Sequence, residues 1–150
     1  MMQEYGMLLG TYRSLPLTGE GVLLPHHLRR GFDQGYAITR GLDGCVAVFP
    51  LAVWEALLQR IEHGTSFLKS AARLFQRHFL GGASVEALGP DGMIRVPDYL
   101  RQHAELEDEV VLVGVGNRLE IWNTKRWTHE EFRMNERSLR SSEELSELGL

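Results

Sequence analysis

The feature that most restricts how this chain can fold is an internal duplication. Residues 9–29, "LGTYRSLPLTGEGVLLPHHLR", and 80–101, "LGGASVEALGPDGMIRVPDYLR", share one order of events. Each opens on Leu-Gly and passes a Gly-rich turn, Gly19-Glu20-Gly21 or Gly89-Pro90-Asp91-Gly92. Each then runs through a few apolar residues to a proline (Pro25, Pro97) and closes on Leu-Arg. Further along, residues 40–54, "RGLDGCVAVFPLAVW", are answered by 115–127, "VGNRLEIWNTKRW", each placing a tryptophan five residues after an aromatic (Phe49, Trp122). The offset drifts from 71 at Gly10/Gly81 through 72 at Pro25/Pro97 to 73 at Trp54/Trp127, as one-residue changes in loops produce. Two copies are too few for a solenoid, which stacks three or more. They suit two half-units, about 7–64 and 80–130, linked by a helix over 66–79 and closing one shared core within a single compact unit spanning 1–150.

Each unit reads as strand, turn, strand, short helix, strand, turn, strand, helix. "GVLLP" and "GMIRVP" are short β runs ended by proline. "HHLRRGF" and "DYLRQHA" span about two helical turns, with Asp98 as an expected N-cap. "EVVLVGVG" is nearly all apolar and should be a strand buried on both faces. Asp43-Gly44 and Gly116-Asn117 are hairpin signals before "CVAVF" and "RLEIW". After Pro50, placed for helix N1, Val53, Trp54, Leu57, Leu58 and Ile61 follow 3.6-residue spacing. The linking helix carries an expected apolar stripe of Phe67, Leu68, Ala71, Leu74, Phe75 and Phe79. The polar tail, 131–150, reads as a marginal helix or a disordered segment.

Charge and composition narrow the function. The formal net charge is -4, the wrong sign for a simple nucleic-acid binder, but its distribution decides more than its total. Residues 105–109 hold Glu105, Glu107, Asp108 and Glu109, and residues 130–150 hold six Glu against three Arg. The rest is slightly basic, with clusters at "HHLRR" (26–30) and "KSAARLFQRH" (69–78). A single cysteine, Cys45, rules out an intrachain disulfide. No apolar run approaches the roughly 20 residues that cross a bilayer, and no signal peptide is visible; a cytoplasmic protein without membrane contact is expected. His26 and His27 are adjacent and diverge by about 100 degrees on a helix, and His63, His78, His103 and His129 share no ligand spacing, so no metal site is expected. "GVGNR" lacks a third glycine and leads into a strand, and no nucleotide-loop or hydrolase motif is present. A non-enzymatic protein without cofactors is expected.

"MLLGTYRSLPLTGEGVLLPHHLR", "TRGLDGCVAVFPLAVWEAL", "ARLFQRHFLGGA" and "VVLVGVGNRLEIWNTKRW" resemble, in colinear order from residue 7 to about 130, the MraZ proteins, bacterial transcriptional regulators linked to the division and cell-wall gene cluster. Met7 aligns with the usual family start, so residues 1–6 read as an extension. The resemblance implies an α+β fold in which two pseudo-symmetric repeats form an AbrB-like swapped-hairpin β-barrel with peripheral helices. It also implies a ring-like homo-oligomer, nucleoid association, and binding to repeated boxes of double-stranded promoter DNA. The family's signature in each repeat is Asp-x-x-x-Arg. Here Thr18 and Gly89 stand where the acid is expected, Met93 replaces one arginine, and the arginine after Gly21 is missing.

Two readings follow from that loss. Neighbouring cations take over the DNA contact: Arg13 on the first strand, His26, His27, Arg29 and Arg30 after Pro25, and Arg95 two residues beyond Met93. Alternatively, the fold persists as an oligomeric interaction scaffold with weakened or lost DNA affinity. "HHLRR" fits a phosphate patch and a solvated helix face equally. Arg29 and Arg101 hold equivalent repeat positions, which suits a structural role as well as a DNA contact. Arg95, alternating with Ile94 and Val96, should point away from the core. Cys45 is expected to be a small buried hydrophobe, and Trp54 and Trp127 are expected to pack in the core.

Overall fold

A computed structural model of the chain describes residues 7–136 and 143–149. Eight strands are linked in the order β5-β3-β4-β8-β7-β1-β2-β6, every pairing antiparallel, in a curled half-barrel. They are β1 (Leu8–Thr18), β2 (Gly21–Leu23), β3 (Tyr36–Arg40), β4 (Val46–Pro50), β5 (Ser84–Glu86), β6 (Met93–Ile94), β7 (Glu109–Gly116) and β8 (Leu119–Asn123). The helices are α1 (Leu51–Gly64), α2 (Ser70–Phe79), α3 (Asp98–His103), α4 (Thr124–Glu136) and α5 (Glu143–Glu147), and a 3-10 helix covers His26–Phe32.

The pairing crosses between the two copies. β1 lies on β7, and its counterpart β5 lies on β3. β4 meets β8 with Val46 opposite Ile121 and Val48 opposite Leu119. Those positions are related by the same offset of 73 that relates Trp54 to Trp127. β2 meets β6 with Val22 opposite Ile94. Neither copy could keep these ladders alone, because β5 would lose its pairing with β3 and β1 would keep only its two-residue pairing with β2, each exposing an unpaired edge.

Three apolar clusters follow from period-two alternation. Inward residues of all the long strands (Leu8, Ile38, Val46, Val48, Val110, Leu112, Leu119, Ile121) meet Val22, Ile94, Phe32 and Tyr36 inside the curl. On the outer face, Ala37, Ala47 and Phe49 are covered by Trp54 and Ile61 of α1 and Phe79 of α2. Val111, Val113 and Trp122 are covered by Trp127 of α4, with Cys45 beside them. With both faces covered, Val110–Val113 of β7 are buried, as the apolar run predicts, and Cys45 is 1% exposed.

Local readings differ from the structure at several helix ends. Pro50, read as helix N1, is the N-cap of α1, and Leu51 is its first residue, because Pro50 still has the extended backbone that ends β4. Pro97, not Asp98, sits at the N-cap of α3, and no side chain caps that helix; Asp98 is instead its first residue, where a carboxylate still faces the positive end of the peptide dipoles. The helix linking the copies starts at Ser70, and only Phe79 of its expected stripe is buried; Leu74 faces solvent, as do Phe67 and Leu68, which precede the helix, while Phe75 and Phe79 pack on the outer sheet face. α4 continues to Glu136, into the segment read as a marginal helix or disordered tail, and its Glu131 pairs with Arg13 of β1. The tail's residues 137–142 and the extension 1–6 lie outside the described residues.

Candidate nucleic-acid interface

The two Gly-rich turns are brought together by the β2–β6 pair. Gly21 has φ +119°, and a Cβ there would stand 1.9 Å from the carbonyl oxygen of Ile94, so only glycine lets the two copies approach this closely. Leu24 N–H donates to the Gly92 carbonyl at 3.0 Å, a second backbone tie between the copies. The signature's acid is not needed to hold either turn. Thr18 Oγ1 accepts the Glu20 N–H at 3.1 Å, a hydroxyl-centred turn. Gly92 N–H donates to the Gly89 carbonyl at 2.8 Å, and Gly89 N–H to the Met93 carbonyl at 3.1 Å.

The structure does not gather the sequence's candidate cations into one patch. Arg95 is exposed beside the paired turns, in a groove with Gly19, Glu20, Gly89, Pro90 and Asp91. Its backbone N–H donates to the Tyr36 hydroxyl at 3.0 Å, which fixes the strand from inside and leaves the guanidinium outside. Arg29 is half-buried; its Nε donates to the Leu24 carbonyl at 3.0 Å and its side chain lies over Gly92. Arg101, its counterpart, donates from Nε to the Val96 carbonyl at 2.8 Å. The same five-residue back-bond in both copies gives Arg29 a structural duty, as their equivalent positions suggest. Arg30 and His26 are exposed. His27 pairs through Nε2 with the Tyr12 hydroxyl at 2.8 Å. Arg13 sits at a bulge in β1, where the register slips between Tyr12 and Leu15 and Ser14 takes φ +57°; the Glu131 carboxylate beside its exposed guanidinium raises its pKa.

The electrostatic balance of the paired-turn surface is the feature that sequence reading missed. The groove between the turns contributes Glu20 and Asp91 against Arg95. The adjoining groove adds Glu86, Asp98 and Arg101. The two grooves are thus lined by four carboxylates and two guanidiniums, with the Arg29 guanidinium a third cation over Gly92. Glu86 and Asp98 belong to separate elements, β5 and α3, and no spacing rule places them beside Arg95.

Elsewhere, a cavity of about 260 Å³ lies between α1, α2 and the hairpin tips, lined by Phe49, Leu57, Ile61, Phe75, Phe79 and Glu120 among others. The Glu120 carboxylate is already engaged, by Arg118 Nη2 at 2.9 Å and Trp122 Nε1 at 3.0 Å, so it offers no free group for chemistry. The Cys45 thiol is pushed up to about 12, first by burial and then by the charges of Glu120 and Asp43; it is a core side chain and no nucleophile. Among the described residues, no cluster of three or more His, Cys, Asp or Glu could hold a metal ion, and no helix is long and apolar enough to cross a membrane.

Comparison with known proteins agrees with the two-copy architecture. A family model described as "MraZ protein, putative antitoxin-like" matches twice, over residues 20–78 and 79–146. A protein of Heliobacterium modesticaldum is 36% identical over 141 residues, covering 94% of this chain and 95% of its own. One of Natranaerobius thermophilus is 41% identical over 122 residues (81% and 84%). One of Symbiobacterium thermophilum is 43% identical over 106 residues (71% and 76%). Each of the three carries the name transcriptional regulator MraZ.

Proposed function

Because the chain belongs to the MraZ family, we propose that it is a non-enzymatic transcriptional regulator that binds repeated boxes of double-stranded promoter DNA as a homo-oligomer. It works in the cytoplasm on the nucleoid. Its two repeats, about 7–64 and 80–130, form an AbrB-like swapped-hairpin barrel whose paired turns are displayed toward DNA. The observation that supports this reading is the close pairing of the two copies at β2 and β6, where Gly21 meets Ile94 and Leu24 N–H meets the Gly92 carbonyl, which sets both turns on one surface with Arg95 exposed beside them. Arg95 and Arg30 are the exposed cations nearest in role to the lost signature; Arg13, His26, His27 and Arg29 support them. Several weak subunit contacts add through effective concentration when boxes repeat at matching spacing.

The test is fluorescence anisotropy with duplexes from the chain's own division-gene promoter. Affinity should fall steeply as salt rises, because phosphate contacts release counterions. Arg95→Ala with Arg30→Ala should weaken binding by about 1–3 kcal/mol for each base-reading arginine, with no change of mass by light scattering. Flat binding at low salt by a folded oligomer would end the reading.

A second reading has its own specific observation. Four carboxylates stand around the paired turns against three guanidiniums, counting Arg29 over Gly92, and this balance gives phosphate no net attraction there. An oligomeric scaffold that has given up DNA would keep the mass and show no shift.

A further inference from the structure

We infer that α2 presents a second DNA-contact surface, a row of Lys69, Arg73 and Arg77 that engages the phosphate backbone; this rests on the DNA-binding reading above. The paired turns hold four carboxylates against Arg95, Arg101 and the back-bonded Arg29, which leaves that reading short of cations where the family signature would supply them. The chain's acid-free span lies elsewhere. From residue 63 through 85 there is no Asp or Glu, while the net charge of the whole is -4.

Arg73 and Arg77 stand one four-residue step apart on one side of the helix, and Lys69, four residues before Arg73, is the extended N-cap at its start. Each step rises about 6 Å. Successive phosphates of one strand rise about 3.4 Å along the duplex axis while also winding round it, so they stand farther apart than that rise, and a row at this spacing meets neighbouring phosphates of one strand. Its base is held rigid. Phe79 is buried and Phe75 half-buried against the outer sheet face. Arg73 Nη1 donates to the Phe67 carbonyl at 2.9 Å, and Gln76 Nε2 donates to Thr65 Oγ1 at 3.0 Å, tying the helix to the end of α1. Lys69 and Arg77 are exposed. Among the described residues, Arg13, Arg118, Arg126 and Arg133 all spend their charge on carboxylates, and none of the α2 cations does. Phosphate contacts of this kind position a duplex without reading its sequence.

The exposed Phe67, Leu68 and Leu74 beside these cations also have the composition of an interfacial helix, so an anionic bilayer is the competing partner. The regular row favours the polymer of phosphates.

The experiment compares full-length wild type with Lys69→Ala/Arg77→Ala, keeping Arg73 because it closes the preceding turn. Promoter duplex and scrambled duplex are titrated across a salt series, and vesicles of phosphatidylserine and phosphatidylcholine (3:7) are tested by flotation. Removing two phosphate contacts should lower the log–log salt slope by about 2 per engaged subunit and weaken binding about 60-fold at 0.1 M salt. The loss should be equal on both duplexes, and the charge-preserving Lys69→Arg/Arg77→Lys should retain wild-type slope. If wild type binds DNA and the alanine variant keeps its slope, the α2 surface is wrong while DNA binding stands. If wild type binds vesicles and no duplex at low salt, both the α2 assignment and the DNA reading fall.

Discussion

Gly21→Ala probes the contact that locks the two copies together. The added Cβ would lie 1.9 Å from the Ile94 carbonyl oxygen and 2.8 Å from its carbon, both backbone atoms of the other copy, at φ +119°. Left-handed backbone costs a residue with a Cβ about 1–2 kcal/mol. Strand β6 cannot yield as a side chain could, so the two-residue pairing of Val22–Ile94 and Leu23–Met93 must open. Each lost backbone hydrogen bond adds about 1 kcal/mol, giving about 3–4 kcal/mol in all. Gly92→Ala is the internal control. Its φ is +87°, but the obstacle is the Arg29 side chain, which can move only by giving up its bond to the Leu24 carbonyl, so its cost should be the backbone strain plus one hydrogen bond, about 2–3 kcal/mol. Both are read by urea titration at one fixed protein concentration, since assembly makes apparent stability depend on it. A Gly21→Ala loss below about 1 kcal/mol, or no larger than that of Gly92→Ala, would refute the reasoning.

Other outcomes follow from named side chains. Cys45, with its thiol pushed up to about 12 by burial, should resist maleimide at pH 8 in the native protein and react once unfolded; rapid native labelling contradicts its placement. His103 has a buried Nε2 with no partner, and its pKa is lowered by burial, then by His78, Arg40 and Arg126. Because the unfolded chain binds this proton more readily, stability should be full above the ordinary histidine pKa and fall as pH drops through it toward the folded value. His103→Gln should flatten that dependence, as followed by thermal melts between pH 5 and 8. Tyr36→Phe removes the acceptor of the Arg95 N–H and should cost about 1–3 kcal/mol in urea titration, where no change would mean the bond is idle.

The duplication made most of the architecture legible. Matching turns, prolines and tryptophans predict matching elements, and the apolar run at 110–113 predicts a strand covered on both faces. The crossed pairing of β1 with β7 and β5 with β3 was implied only by resemblance, because spacing within one copy does not say which copy supplies a strand's neighbour. Helix burial at α2 was misread for a related reason. Phe67, Leu68 and Leu74 fit helical spacing, but spacing cannot show that only Phe75 and Phe79 find a sheet to cover. At the candidate interface, the exposure of Arg95 follows from its alternation with Ile94 and Val96. The ion pair of Arg13 with Glu131 joins residues far apart in sequence, as does the meeting of Glu86 and Asp98 with Gly19 of the other copy, and no local pattern announces either.

The central claim is that neither copy completes its sheet without the other, and the most direct measurement is far-UV circular dichroism with thermal melting on the two halves, residues 7–66 and 67–136, alone and mixed. Each half alone should give a weak spectrum with no cooperative melt, and the equimolar mixture should recover β-sheet signal and one sharp transition. A cooperative melt from either half by itself would contradict the claim.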